Sequence, residues 1–171
     1  DLAIVQLDAP VTDAGEPALL YGGTSEMGRT LTYVGYGSRG RGSIGLDPNE
    51  ASGEIAAAAQ GVVEIDILPL DGPNMEHGNY LGVFLPKEDG SIPNPFPAGT
   101  LTTPISEEAG LLLPGDSGGP AWLETDEGWA VAGISALKIG EDRYGDQSGF
   151  ARVSGVKAWI LEHFEGASFT E

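Results

Sequence analysis

Cysteine is absent, so no disulfide can hold this fold together. Positive charge is scarce: 8 Lys and Arg face 26 Asp and Glu, for a formal net charge of −18. That balance argues against a nucleic-acid backbone or an anionic membrane as partner, because both would be repelled. Long apolar runs are missing too, so no segment of the sequence reads as a membrane-spanning helix. The start, Asp1-Leu2-Ala3-Ile4-Val5, has no basic stretch and does not read as a signal peptide. Histidine occurs only at His77 and His163.

What is present is a globular composition, 40% hydrophobic and 20% charged over 171 residues, enough for one sizeable core or two small ones. The 27 glycines and 12 prolines point to short strands and many turns. Asp1 to Leu7 alternates loosely and predicts a strand that stops at Ala9-Pro10. Thr30 to Gly37 predicts a second strand and Ser38 to Pro48 a glycine-rich loop. In Glu54 to Leu70, helix-favouring Ala56 to Ala59 precede a β-branched alternation, so a strand is expected from Gly61 and the alanines are ambiguous. Short strands are expected at Tyr80 to Leu85, Gly119 to Leu123, Trp129 to Leu137 and Gly149 to Val153. Ser154 is placed to cap a helix over Gly155 to Phe164, whose apolar face would be Val156, Trp159, Ile160 and Phe164. Together these elements predict an all-β antiparallel barrel with one C-terminal helix.

The most specific chemistry lies in Gly115-Asp116-Ser117-Gly118-Gly119-Pro120. Serine catalysis needs a hydroxyl, a base to take its proton and a group to orient the base. Ser117 offers the hydroxyl, and the Gly115 and Ser117 N–H groups can form an oxyanion hole. The run also satisfies Gly-x-Ser-x-Gly, the nucleophile elbow of α/β-hydrolases, with Asp142 or Asp146 and then His163 following in their order. That elbow must turn into a helix, and Gly-Gly-Pro is a poor first turn. His77 reads as a surface residue in a Pro/Gly-rich loop, and His163 as a favourable charge near a helix C-terminus. Asp142, Asp146, Glu88 and Asp89 could join a calcium loop, but no Asp-x-Asp-x-Asp-Gly spacing occurs, so no metal is expected. No phosphate loop or dinucleotide fingerprint appears, and no cofactor is expected.

The six-residue run resembles the active-site signature of the trypsin/chymotrypsin-like serine proteases. Asp1-Leu2-Ala3-Ile4-Val5-Gln6-Leu7, followed by Ala9-Pro10-Val11, looks like the segment that carries that family's orienting aspartate. Tyr33-Val34-Gly35-Tyr36-Gly37 resembles the first strand of its second barrel. Gly149-Phe150-Ala151-Arg152-Val153-Ser154 with Trp159-Ile160 resembles its last strand and C-terminal helix. The matches follow the family's order over nearly the whole chain.

The resemblance implies a double β-barrel of trypsin-like type, present here as the last strand of barrel one, all of barrel two and a C-terminal helix. The division would be 1–29 for the end of barrel one and the connection, 30–153 for the second barrel and 154–171 for the helix and tail. It implies a serine endopeptidase with Ser117 as nucleophile, Asp1 as orienting carboxylate, and Asp116, Gly118 and Gly119 as the frame of the site. Leu111 would form the base of the specificity pocket, with walls from Ser135-Ala136-Leu137 and from Gln147-Ser148-Gly149; an apolar base favours large hydrophobic side chains over Arg or Lys, and the alternative for Leu111-Leu112-Leu113 is a plain buried strand. The family's histidine precedes its aspartate, so the base is expected from an upstream segment or a separate chain carrying the rest of barrel one, contacted by Leu2, Ile4 and Leu7 or by the alternate face of that segment. The substrate would be a polypeptide and the setting secreted or periplasmic. Animal members of the family usually carry several cysteines, so their lack here points to a bacterial origin. With no histidine in place, a non-catalytic, partner-binding module of the same fold is the alternative.

Overall fold

The computed structural model describes residues 2–50, 53–66 and 80–170. Among the described residues nine strands run in chain order: β1 Leu19–Leu20, β2 Thr30–Gly35, β3 Gly40–Arg41, β4 Gly45–Leu46, β5 Ala57–Val62, β6 Tyr80–Phe84, β7 Pro120–Thr125, β8 Gly128–Ile139 and β9 Gln147–Arg152. A 3₁₀ turn, Ser154–Val156, leads into the one α-helix among the described residues, α1 Lys157–His163.

The strands follow from alternation. In β2, Leu31 and Tyr33 point inward and are buried, while Thr30 and Val34 face out. In β7, Ala121 and Leu123 do the same, and β8 answers with Ala130 and Ala132. With Leu81, Val83 and Phe150 these residues form the main core. Removing each large apolar side chain from water contributes about 1.5–3 kcal/mol.

Six strands form one sheet in the order β5-β2-β7-β8-β9-β6, every pair antiparallel, and β1 joins β8 in parallel. The sheet curls until its two edges meet. Just past β5, Ile65 bridges Gly82 of β6, the Glu64 N–H donating to the Gly82 carbonyl at 2.9 Å and the Gly82 N–H to the Ile65 carbonyl at 2.8 Å. The protein is therefore mostly antiparallel β, barrel-like, with one short helix. β3 and β4 form a separate small hairpin within the stretch expected to be loop.

Several expectations are corrected. Residues 2–7 form no strand: no neighbouring strand pairs with them, so their alternation has no ladder to join. Leu2 packs on Val131, Val153 and Ile160, whereas Ile4 and Leu7 are exposed. The ambiguous alanines are strand: Ala57 to Ala59 pair with Gly35, Val34 and Tyr33, and this pairing overrides helix propensity. Ser154 does not cap the helix, because its hydroxyl donates instead to Glu26 Oε1 at 2.7 Å. Only Ile160 of the expected apolar helix face is buried; Val156 packs beside it, and Trp159 and Phe164 are exposed.

Glu26 is fully buried, and the Arg152 guanidinium donates to both its oxygens, at 2.8 and 2.6 Å. This ties the segment before β2 to the end of β9. The hydrogen bonds that Arg152 donates to Glu26, ahead of its other interactions, raise its pKa, so the guanidinium stays charged. Among the described residues, no helix is long and apolar enough to cross a membrane.

Candidate active site

The Gly115–Pro120 run is a tight turn entering β7. Gly115 has φ +99° and Gly118 φ +82°, a left-handed region that suits glycine. A side chain at 115 would also come within 3.0 Å of the Gly37 Cα. Backbone hydrogen bonds fix the turn at both ends. Asp116 N–H donates to the Leu113 carbonyl, Gly119 N–H to that of Asp116 and Gly118 N–H to that of Ser135, while Ser135 N–H donates to the Gly119 carbonyl. The run continues into a strand, not a helix, so the hydrolase-elbow geometry is not formed.

Asp116 turns inward, away from Ser117. Its Oδ1 accepts the Gly37 N–H at 2.9 Å and its Oδ2 the Leu113 N–H at 2.9 Å. Tyr33 lies below, its hydroxyl donating to the Gly110 carbonyl at 2.5 Å. Burial, and then the negative charge of Asp116, push the Tyr33 ionisation well above its ordinary value.

Ser117 is left exposed at the crest of the turn. Its hydroxyl makes no hydrogen bond within the described residues, and neither do the N–H groups of Gly115 and Ser117. Two unengaged backbone donors thus flank a free, exposed hydroxyl, while among the described residues every buried polar side-chain atom has a hydrogen-bond partner. Unspent donors at a glycine turn are what an oxyanion would use.

A hollow of about 190 Å³ opens beside Ser117, lined by Leu112, Leu113, Pro114, Ala136, Leu137 and Lys138. β8 shapes its wall. The register of β8 against β9 slips between Ser135 and Leu137, leaving Ala136 as an extra, unpaired residue, and such bulges re-aim side chains. Of the expected pocket residues, Ala136 and Leu137 line this hollow. Leu111 and Ser135 line a second cleft, of about 280 Å³, around Asp116. Ser148 is buried and uses its Oγ to accept the Leu112 N–H at 2.9 Å, so it supports the wall from behind. Leu112 and Leu113 were within reach of sequence reasoning as neighbours of Leu111. Lys138 carried no signal beyond adjacency to Leu137.

On the other side of the serine turn, Gly118 borders an apolar groove of about 900 Å³, whose other walls include Leu2, Ile4, Leu20, Ile134 and Ile160. The expected orienting residue Asp1 and the histidine His77 lie outside the described residues. His163, on α1, has its Nδ1 2.9 Å from the Trp159 carbonyl and its ring against that of Trp159, so it engages its own helix rather than Ser117. Among the described residues no His, Cys, Asp and Glu group of three or more could hold a metal ion. No protein-family model matches the chain, and no curated protein matches it.

Proposed function

We propose that the chain is the nucleophile-bearing part of a trypsin/chymotrypsin-like serine endopeptidase. Ser117 Oγ attacks the carbonyl carbon of a peptide bond while a base takes its proton. The developing oxyanion is held by the Gly115 and Ser117 N–H groups, the amine leaves with the proton, and water then hydrolyses the acyl-Ser117 ester. The observation that carries this reading is the exposed Ser117 hydroxyl flanked by two unengaged backbone donors on a turn pinned through Asp116.

The base comes from a polypeptide, either an upstream segment or a separate chain, that seats in the apolar groove bordering Gly118. Leu2, Ile4 and Ile160 offer it an apolar surface next to the nucleophile. Asp1 orients that base, and the working environment is extracellular or periplasmic. In the native assembly a fluorophosphonate should label Ser117, located by peptide mass spectrometry, and Ser117→Ala should abolish the label. Absence of label in that assembly would favour the second reading, a partner-binding module. The feature in its favour is that no described base touches Ser117.

A further inference from the structure

The groove of about 900 Å³ bordering Gly118 has apolar walls: Ser168 alone among its lining residues carries a polar side chain. Two of its large side chains stand open to water, Ile4 at 41% and Phe164 at 56% exposure. Val5, Leu7 and Val11 continue the exposed apolar surface along the segment that leads from Ile4 to Pro17, the next wall residue. An apolar surface of this extent marks an interaction site. A small ligand would find no set of polar side chains converging to orient it, and it would leave the surface beyond the groove uncovered.

The two segments that supply most of these walls, 2–18 and 157–170, are one-sided in charge. They hold Asp8, Asp13, Glu16, Glu162 and Glu165 against one Lys, Lys157, and no Arg. All five acidic residues are exposed, and none has a side-chain hydrogen bond or ion pair among the described residues. Lys157 turns its ammonium onto the Phe169 ring, 4.8 Å from the centroid, and is not part of the groove. Arg152, next to Val153 of the wall, is committed to Glu26. Glu16 directly precedes Pro17, and Glu165 sits between Phe164 and Gly166, so each is one residue, about 3.8 Å along the chain, from the apolar wall. At physiological salt a charge acts over about 8 Å, so this anionic rim is felt by whatever enters.

We infer that the groove is the docking face for a cationic amphipathic polypeptide segment. It sets apolar side chains among Ile4, Ile160 and Phe164, and Lys or Arg side chains against Glu16 and Glu165. This rests on the endopeptidase reading above for the occupant's role, delivery of the base to Ser117. A second copy of the chain would set the same unpaired carboxylates against each other, since a twofold interface joins like patches. An anionic lipid surface would be repelled in the same way. A basic segment answers both the apolar walls and the rim, and the net charge of −18 steers it in.

The measurement is titration of the ¹⁵N-labelled full chain with synthetic peptides that carry leucines at helical or at alternating spacing and Lys, Gln or Glu at every other position. Binding is read at the Ile4, Gly118, Ile134 and Gly166 amides. In the better spacing the Lys peptide should bind about tenfold or more tightly than the Gln peptide, and the Glu peptide should be weakest. Salt of about 1 M should remove most of that difference. Glu16→Gln/Glu165→Gln should cut the affinity of the Lys peptide about fivefold or more. Glu107→Gln/Glu108→Gln removes the same charge at the cleft around Asp116 and should change it less than about twofold. All four residues are exposed, so both variants should fold. Phe164→Ala should weaken all the peptides alike. A Glu peptide that binds as well as the Lys peptide, equal effects of the two double variants, no shift at the groove amides, or concentration-dependent self-association of the chain through those amides would each overturn the inference. Peptide docking needs no reaction at Ser117. The Lys preference without fluorophosphonate labelling in the native assembly would keep the inference and refute the endopeptidase reading; labelling without the Lys preference would do the reverse.

Discussion

Asp116 Oδ1 lies 2.9 Å from the Gly37 nitrogen, in space that only a glycine leaves open: a side chain at 37 would approach that oxygen to 2.6 Å, and one at 35 to 2.0 Å. The glycines of the segment from β2 onward are thus the mould in which the serine turn is cast. The turn's geometry is set from residues some 80 positions away in sequence as much as by its own glycines.

Gly35→Ala should accordingly push the Asp116 carboxylate out of its seat. Overpacking of this kind costs about 1–3 kcal/mol, measurable as a lowered urea midpoint. The rate of Ser117 labelling in the native assembly should fall more than stability alone explains, because the Gly115 and Ser117 donors move with Asp116.

Ser117→Ala should leave stability within about 0.5 kcal/mol of the parent, since the residue is exposed and its hydroxyl is unbonded. Urea unfolding checks this directly. A large loss would mean that the hydroxyl has a structural role.

Glu26→Ala should destabilise by about 3–5 kcal/mol, because Arg152 would be left charged and buried without its bidentate partner. Replacing both residues with apolar ones of similar size should recover much of that loss. Chemical denaturation of the single and double variants tests both statements.

Stability should fall on the alkaline side of pH 10. Tyr33 ionises near 10 in the unfolded chain, and burial raises that value in the folded protein. Above pH 10 the unfolded state therefore holds fewer protons than the native state, so the free energy of unfolding declines with pH. The slope approaches about 1.4 kcal/mol per pH unit from this one group. Tyr33→Phe should flatten that decline while costing about 0.5–1.5 kcal/mol at neutral pH for the lost bond to Gly110. Urea midpoints from pH 8 to 11 for both proteins make the comparison.

Strands such as β2 and β7 were legible because Leu31, Tyr33, Ala121 and Leu123 repeat at the period of the pleat. Where a residue's surroundings outweighed its own preference, the sequence misled. Ala59 belongs to a strand because its backbone pairs with Tyr33 of β2, which outweighs alanine's own helix preference. Ser154 looks like a helix cap, yet a buried carboxylate contributed from position 26 claims its hydroxyl. The serine turn was readable to the residue, since its positive-φ glycines at 115 and 118 leave a local imprint. The wall of the adjoining hollow was not, because the bulge at Ala136 decides which of its neighbours face Ser117.

β1 lies between β8 and the residues near the chain's other end. Leu20 N–H donates to the Ser168 carbonyl, Thr170 N–H returns to the Leu20 carbonyl, and the Gly22 N–H reaches the Thr170 hydroxyl. During synthesis, residues 19–22 therefore wait for almost 150 further residues to emerge before their hydrogen bonds can form. Contacts of such sequence separation form slowly. A released chain cut off shortly before residue 168 would have its main sheet complete but β1 still open on one side. A clip near Ser168 in the finished protein would recreate that state.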